Sequence, residues 1–255
     1  MNKADILKNF NEQEKTEVIN LYEKYKLSKE RDIPLFGNCF YTPNIWRFFQ
    51  ENMQDRFFTI TVDGFFNESE RRMISFNNIY GSSFPYKVLK VTNKSKFSNA
   101  THRDYLGALL SLGIKREKIG DLLVNGDSCY FPVCKEIHQF IIDNLSSIGR
   151  SPCIVEVISN EFEVPSFDFK EKVILVQTLR IDSIVAKLSN ISRVKAQNMV
   201  DEGKVLIDYN IVNSKSAIVE IGSRITIRGH GKFILEEIVG NSKSGKFKVL
   251  IKKYT

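Results

Sequence analysis

The run from Tyr86 to Ile158 constrains the fold most, because its apolar residues switch repeatedly between a period of two and a period near 3.6. Tyr86 to Val91 is rich in β-forming residues, and Thr101 to Leu112 carries an apolar helical pattern. Ile119 to Val124 and Ser128 to Val133 read as two strands around Asn125-Gly126, Lys135 to Leu145 as a helix and Cys153 to Ile158 as a last strand. The predicted order is βαββαβ.

That order is the ferredoxin-like, RRM-like split arrangement, which many RNA-recognition sheets share but which does not by itself give a function. The aromatic signature of a nucleic-acid-reading sheet is absent in its usual form, since the inner strands offer only Tyr130 and Phe131. Before this domain, Val18, Leu21, Tyr22 and Tyr25 form a helical stripe, and a break runs from Ile33-Pro34 through Gly37. Thr42-Pro43 reads as a cap and first-turn proline leading into Ile45, Phe48, Phe49 and Met53, with Trp46 as core. Phe57 to Val62 reads as a strand, Asp63-Gly64 as a turn and Glu68 to Asn77 as a short helix. Glu161 to Phe169, with Pro165 and Ser166, reads as a crossing. Beyond it, Arg180-Ile181-Asp182 opens a helix with Ile184, Val185 and Leu188 on one face, Ser192-Arg193 starts a second, Gly203 ends it and short strands follow. The expected class is α+β, with a mainly helical domain over 1–80, the middle domain over 81–165 and a third domain over 178–255.

No apolar run approaches the roughly 18 residues of a membrane span, and 42% hydrophobic with 26% charged residues suits a globular chain. Met1 to Asp5 shows no secretory pattern, and Cys39, Cys129, Cys134 and Cys153 form no Cys-x-x-Cys pair, so reduced thiols in the cytoplasm are expected. Cys129, Cys134 and His138 form a tempting cluster for zinc, because Cys134 and His138 are four apart and would share a helix face, but four ligands are not evident and buried, inert thiols are the expectation. The formal charge is +7, and Arg180 to Thr255 carries 14 basic against 7 acidic residues while residues 1–179 hold 23 of each. The whole excess sits in the last 76 residues, which points to a polyanion, nucleic acid before membrane.

The RNA-contact expectation rests on Ser192 capping the second helix, whose outward N–H groups suit a phosphate, and on the planar fork of Arg193. Arg180, Lys187, Lys195, Gln197, Lys204, Lys215, Arg228 and Lys232 extend that face. His102, Arg103, Lys115 and Arg116 form a candidate second surface for RNA or ribosome, although Thr101 and Asp104 also read as a helix cap in which His102 and Arg103 merely stand exposed. His102-Arg103-Asp104 imitates a kinase catalytic loop without the rest of the kinase motifs, and Gly240 to Lys246 imitates a phosphate loop without its Ser or Thr or its helix. Ser242 to Gly245 is better read as a hairpin turn. No catalytic motif, cofactor or small-molecule substrate is expected.

Leu179-Arg180-Ile181-Asp182, then Ser192-Arg193, Ala196, Gly203-x-Val205, Lys215 and Val219-x-x-Gly222 resemble the RNA-binding domain of small-subunit ribosomal protein S-four, which pseudouridine synthases and tyrosyl-tRNA synthetases share. Upstream, Thr101 to Leu110 and Leu112 to Asp121 resemble the signature of the YlmH family of bacterial RNA-binding proteins, as does Arg228 to Phe233. The resemblance implies a non-enzymatic protein on the large ribosomal subunit carrying a stalled peptidyl-tRNA, in ribosome-associated quality control and rescue. Its partners would be rRNA or tRNA and quality-control proteins, and the family is also linked to translation and cell division. An RNA-modifying enzyme, using clustered Asp104, Asp121 and His102, and a cell-division partner are the alternatives. Asp208-Tyr209 stands where the S-four-type domain has Asn-Gly, so a hairpin loop of different shape is expected. Gly222-Ser223 replaces Gly-Asp.

Overall fold

A computed structural model describes residues 2–95, 100–158, 164–165 and 169–254. Two compact units divide the chain, Met1–Ser166 and Phe167–Thr255. The crossing expected over Glu161 to Phe169 lies largely outside the described residues. Among the described residues no helix is long and apolar enough to cross a membrane.

The first unit opens with helices α1 (Lys3–Leu7) and α2 (Glu12–Arg31), the latter started by an Asn11–Glu14 capping box. Strand β1 (Leu35–Phe36) occupies the expected break, followed by α3 (Pro43–Met53), β2 (Ile60–Asp63) and β3 (Met73–Phe76). Val18, Leu21, Ile45, Phe49 and Met53 are buried together, as their helical spacing requires, and Trp46 joins them with its Nε1–H donated to the Glu70 carbonyl. The Tyr25 ring meets the edges of Phe58 and Phe76 at 5.3 and 5.8 Å; such T-shaped pairs contribute roughly 0.5–1.5 kcal/mol each.

Three expectations for this region change. Met73–Phe76 is the central strand of a three-stranded sheet, β1-β3-β2, where a helix over Glu68 to Asn77 was expected. All four of its residues are buried, and a run buried on both faces loses the alternation that marks a strand. The strand expected from Phe57 begins only at Ile60, and Phe57 projects at 86% exposure from a tight turn between Asp55 and Phe58. Thr42 stands at the N-cap of α3, yet its hydroxyl is buried and makes no cap bond.

The middle region follows the βαββαβ order closely. Strand β4 (Tyr86–Asn93) leads to α4 (His102–Ser111), β5 (Leu123–Asn125), β6 (Ser128–Cys134), α5 (His138–Asn144), the short β7 (Ser147–Ile148) and β8 (Ser151–Val157). The sheet runs β5-β6-β4-β8-β7, with β4 antiparallel to both β6 and β8. This is the ferredoxin-like order with one added edge strand. Leu89, Val91, Phe131 and Val133 pack with Tyr105, Leu109 and Ile141 of the two helices. Cys134 ends β6 and lies outside α5, so it shares no helix face with His138, whose Nδ1 pairs with the Lys135 carbonyl. Burial raises the Cys134 thiol to about 12.

The second unit begins with β9 (Phe169–Val176), upstream of residue 178, then α6 (Ile181–Ser189), α7 (Arg193–Asp201), β10 (Val205–Ile207), β11 (Asn210–Ile211), β12 (Arg224–Ile227), β13 (Gly231–Asn241) and β14 (Phe247–Tyr254). They form a six-stranded sheet, β11-β10-β12-β13-β14-β9, against which Ile181, Ile184, Val185, Leu188, Ala196 and Val200 bury one side of the helix pair. Ser242 to Gly245 closes the β13–β14 hairpin, with Gly245 donating to the Ser242 carbonyl. Asp208 and Tyr209 adopt φ of 45° and 72°, so the hairpin keeps the left-handed pair that Asn-Gly would supply. The Asp208 carboxylate accepts from the Arg224 N–H at 3.1 Å, and Lys232 Nζ lies 5.5 Å from the Tyr209 ring centre. These contacts offset the cost of a left-handed tyrosine.

Gly64 follows β2 where the chain passes close to itself, and a Cβ there would meet the Arg71 carbonyl oxygen and Ser69 Cβ, each at 2.5 Å. Gly64→Ala should therefore destabilise the first unit by about 1–3 kcal/mol, read as a lower urea midpoint. An unchanged midpoint would refute this close approach.

Candidate nucleic-acid interface

Asp182 organises the face formed by the starts of α6 and α7. Arg180 caps α6, and this segment is strapped to the chain after β11 by the Ile181 N–H on the Ala217 carbonyl and the Val219 N–H on the Leu179 carbonyl. Asp182, the second residue of α6, turns its side chain inward, where it has no exposed surface. Arg180 grips it through Nε and Nη2 at 3.2 and 3.1 Å, Arg193 through Nε and Nη2 at 3.0 and 3.2 Å, and the Gln197 amide donates at 2.9 Å. Burial alone would raise the pKa of this carboxyl, but the hydrogen bonds from Arg180, Arg193 and Gln197 outweigh it and hold the group well below the usual carboxylate range.

This arrangement corrects the expected role of Arg193. Its fork is occupied by a carboxylate, so it cannot also grip a phosphate with the same two nitrogens. Its side chain is still 51% exposed, and Nη1 carries no bond among the described residues. Arg180 and Gln197 share the same fate and serve first as braces. Ser192 does cap α7, accepting from the Lys195 N–H at 3.3 Å, which leaves the first N–H groups of the helix open.

The remaining expected contacts fall into two sets. Lys187, Lys195 and Arg228 are exposed and make no ion pair among the described residues. Lys204 pairs with Glu202 at 2.6 Å, Lys215 with Asp201 at 2.7 Å, and Lys232 lies over Tyr209. Both ion pairs are half exposed; such pairs contribute about 0–1 kcal/mol and hold their lysines only weakly against a phosphate.

The candidate second surface divides differently. His102, Arg103 and Lys115 are exposed. Arg116 instead folds inward, where its Nη1 donates to the carbonyls of Ile119 and Gly120, and burial lowers its pKa to about 10. It remains a cation at neutral pH but serves the interior. The carboxylates that an enzymatic reading requires are engaged in structure: Asp104 accepts from the N–H and hydroxyl of Thr101, and the partly buried Asp121 accepts from the N–H groups of Glu70 and Arg71. On the sheet, Phe131 is wholly buried in the core, while Tyr130 is 9% exposed beneath Lys90 Nζ, 5.7 Å from its ring centre. A ring covered in this way offers little face to a base.

Replacing Asp182 tests its role. Asp182→Asn should cost the second unit about 3 kcal/mol, because two guanidinium groups lose their shared anion. The folded pKa is depressed, so the stabilisation is present above about pH 4, the range of a free carboxyl, and is lost as pH falls below it toward the folded value. Urea midpoints between pH 2 and 7 should fall on the acid side for the wild type and show a smaller acid loss for the variant; matching curves would refute the role.

Two family models match this chain. The model described as "Putative RNA-binding domain in YlmH" covers residues 81–162, and the S4 domain covers residues 179–225. The ribosome-associated protein quality control protein P2 of Bacillus subtilis (strain 168) is 31% identical over 173 residues, which is 68% of this chain and 67% of that protein. A solved structure, the cell division protein ylmH from Streptococcus pneumoniae, aligns with a TM-score of 0.49 at 20% identity, covering 61% of this chain and 97% of that one. With a YlmH-type domain followed by an S4 domain, and this identity to a relative of which it covers two thirds, the chain belongs to the YlmH family.

Proposed function

We propose that this protein binds structured RNA on the ribosome and acts there without catalysis, in the cytoplasm. The carrying observation is that the second unit exposes Lys187, Lys195 and Arg228 with no ion pair among the described residues, and keeps the braced Arg193 half exposed. A-form RNA hides its base edges in a deep groove and displays phosphates and 2′-hydroxyls, so a rigid basic face reads it by shape and backbone. The named relative supports the ribosome as the place of action and quality control as the process. Our finer reading is a large subunit carrying a stalled peptidyl-tRNA, with rRNA or tRNA against the second unit and quality-control proteins as neighbours. The exposed His102, Arg103 and Lys115 would add a second contact from the first unit.

Sedimentation with purified large subunits across a salt series tests this reading. Arg193 is a poor probe because its loss also frees Asp182, so Lys195→Glu and Arg228→Glu are the variants of choice. Log affinity should fall with log salt, and each lost phosphate contact should reduce the slope by about 0.7–0.9. Salt-independent association, or variants that sediment as the wild type does, would overturn it.

A further inference from the structure

A cleft of about 330 Å³ opens in the second unit between the end of β9, the C-terminal end of α6, the start of α7 and the β13–β14 turn. Lys187, Arg193 and Lys246 line it, and no carboxylate does. Leu175, Val176, Ala186 and Ile191 provide apolar wall, and Gln177, Ser183 and Asn190 provide neutral hydrogen-bonding groups. Lys187 and Lys246 make no ion pair among the described residues. A site with cations on one part, apolar wall on another and amides that both donate and accept matches the three parts of a nucleotide: phosphate, base face and base edge.

We infer that this cleft receives one extruded nucleotide of the bound RNA, its phosphate on Lys187, Lys246 and Arg193 and its base edge on Gln177 and Asn190. The inference rests on the RNA-binding reading above and adds base recognition to a face otherwise suited only to shape and charge. Its walls are built rather than incidental. Val176 and Phe247 are paired in the β9–β14 ladder, so Gln177 and Lys246 lie one step beyond the same rung. The Lys246 backbone is tied at both ends of its peptide to Ser242, its N–H to the hydroxyl at 3.0 Å and its carbonyl to the Ser242 N–H at 2.8 Å. Asn190 is fixed as the left-handed cap of α6, with φ of 54°. The Asp182 brace fixes Arg193 and leaves Nη1 for the phosphate. Gln177 and Lys246 both lie outside the 179–225 segment matched by the S4 model. The flanking strand and hairpin therefore convert a two-helix surface into a cleft.

The test uses the full chain. Its side-chain amide NMR signals are followed while AMP, GMP, CMP, UMP or inorganic phosphate is added, and its affinity for deproteinised large-subunit rRNA is measured across salt. The Gln177 and Asn190 amide signals should move with the nucleotides, unequally among the four bases, and little with phosphate. Lys246→Ala should weaken rRNA binding about tenfold and lower the salt slope by about 0.7–0.9, and Gln177→Ala should remove the difference among bases while leaving the slope unchanged. Both residues lie outside the core, so folded spectra are expected for both variants. Equal shifts with phosphate and nucleotides, or both variants binding rRNA as the wild type does, would overturn the cleft while leaving RNA binding intact. A wild type that fails to bind rRNA would overturn the functional reading itself.

Discussion

A carboxylate with no exposed surface would be strongly disfavoured unless its charge were met, and Asp182 meets it with five hydrogen bonds from Arg180, Arg193 and Gln197. The partners come from the cap of α6 and the first turns of α7, so one buried anion sets the angle between the two helices and the position of both guanidinium groups. Beyond the braced starts, Ile181, Ile184, Val185, Leu188, Ala196 and Val200 carry the apolar sides of the helices onto the sheet. Two arginines on one aspartate also leave a net positive charge at the joint, so the brace adds to the basic field it supports.

The two units divide the physical work unevenly. The first contains almost all the aromatic packing, with Phe49, Phe58, Phe76 and Tyr25 forming a continuous set of ring contacts, and its charges sum to near zero. The second has few aromatic contacts among the described residues and carries the net charge. A body stabilised by ring packing can vary its surface charge with little loss, whereas a basic unit resists its own repulsion and needs internal anions such as Asp182.

Much of this was legible in the sequence where periodicity is strong. The βαββαβ order, the α2 stripe and the positions of α6 and α7 follow from apolar spacing, and the charge partition follows from counting. What escaped is local in three dimensions. Met73–Phe76 is buried on both faces, so it has neither the alternation of a half-buried strand nor the span of a helix. Arg116 resembles a surface cation until its backbone acceptors, Ile119 and Gly120, turn back toward it. Arg193 and Asp182 are eleven positions apart and on different helices, so no local pattern marks them as partners. Asp208-Tyr209 departs from the preferred turn residues, but the contacts that let it keep the turn come from Arg224 and Lys232, far along the chain.

The β9 strand pairs along its whole length with β14, Phe169 opposite Tyr254 and Val176 opposite Phe247. These are the first and last strands of the second unit, so the sheet edge laid down earliest in synthesis waits for the latest segment. Until residues near 254 emerge, β9 has no partner in its sheet and its backbone groups stay in water. A contact of such sequence separation forms slowly and late. The second unit therefore completes its sheet only once the segment through Tyr254 has been made, although β9 stands ready from Phe169 onward.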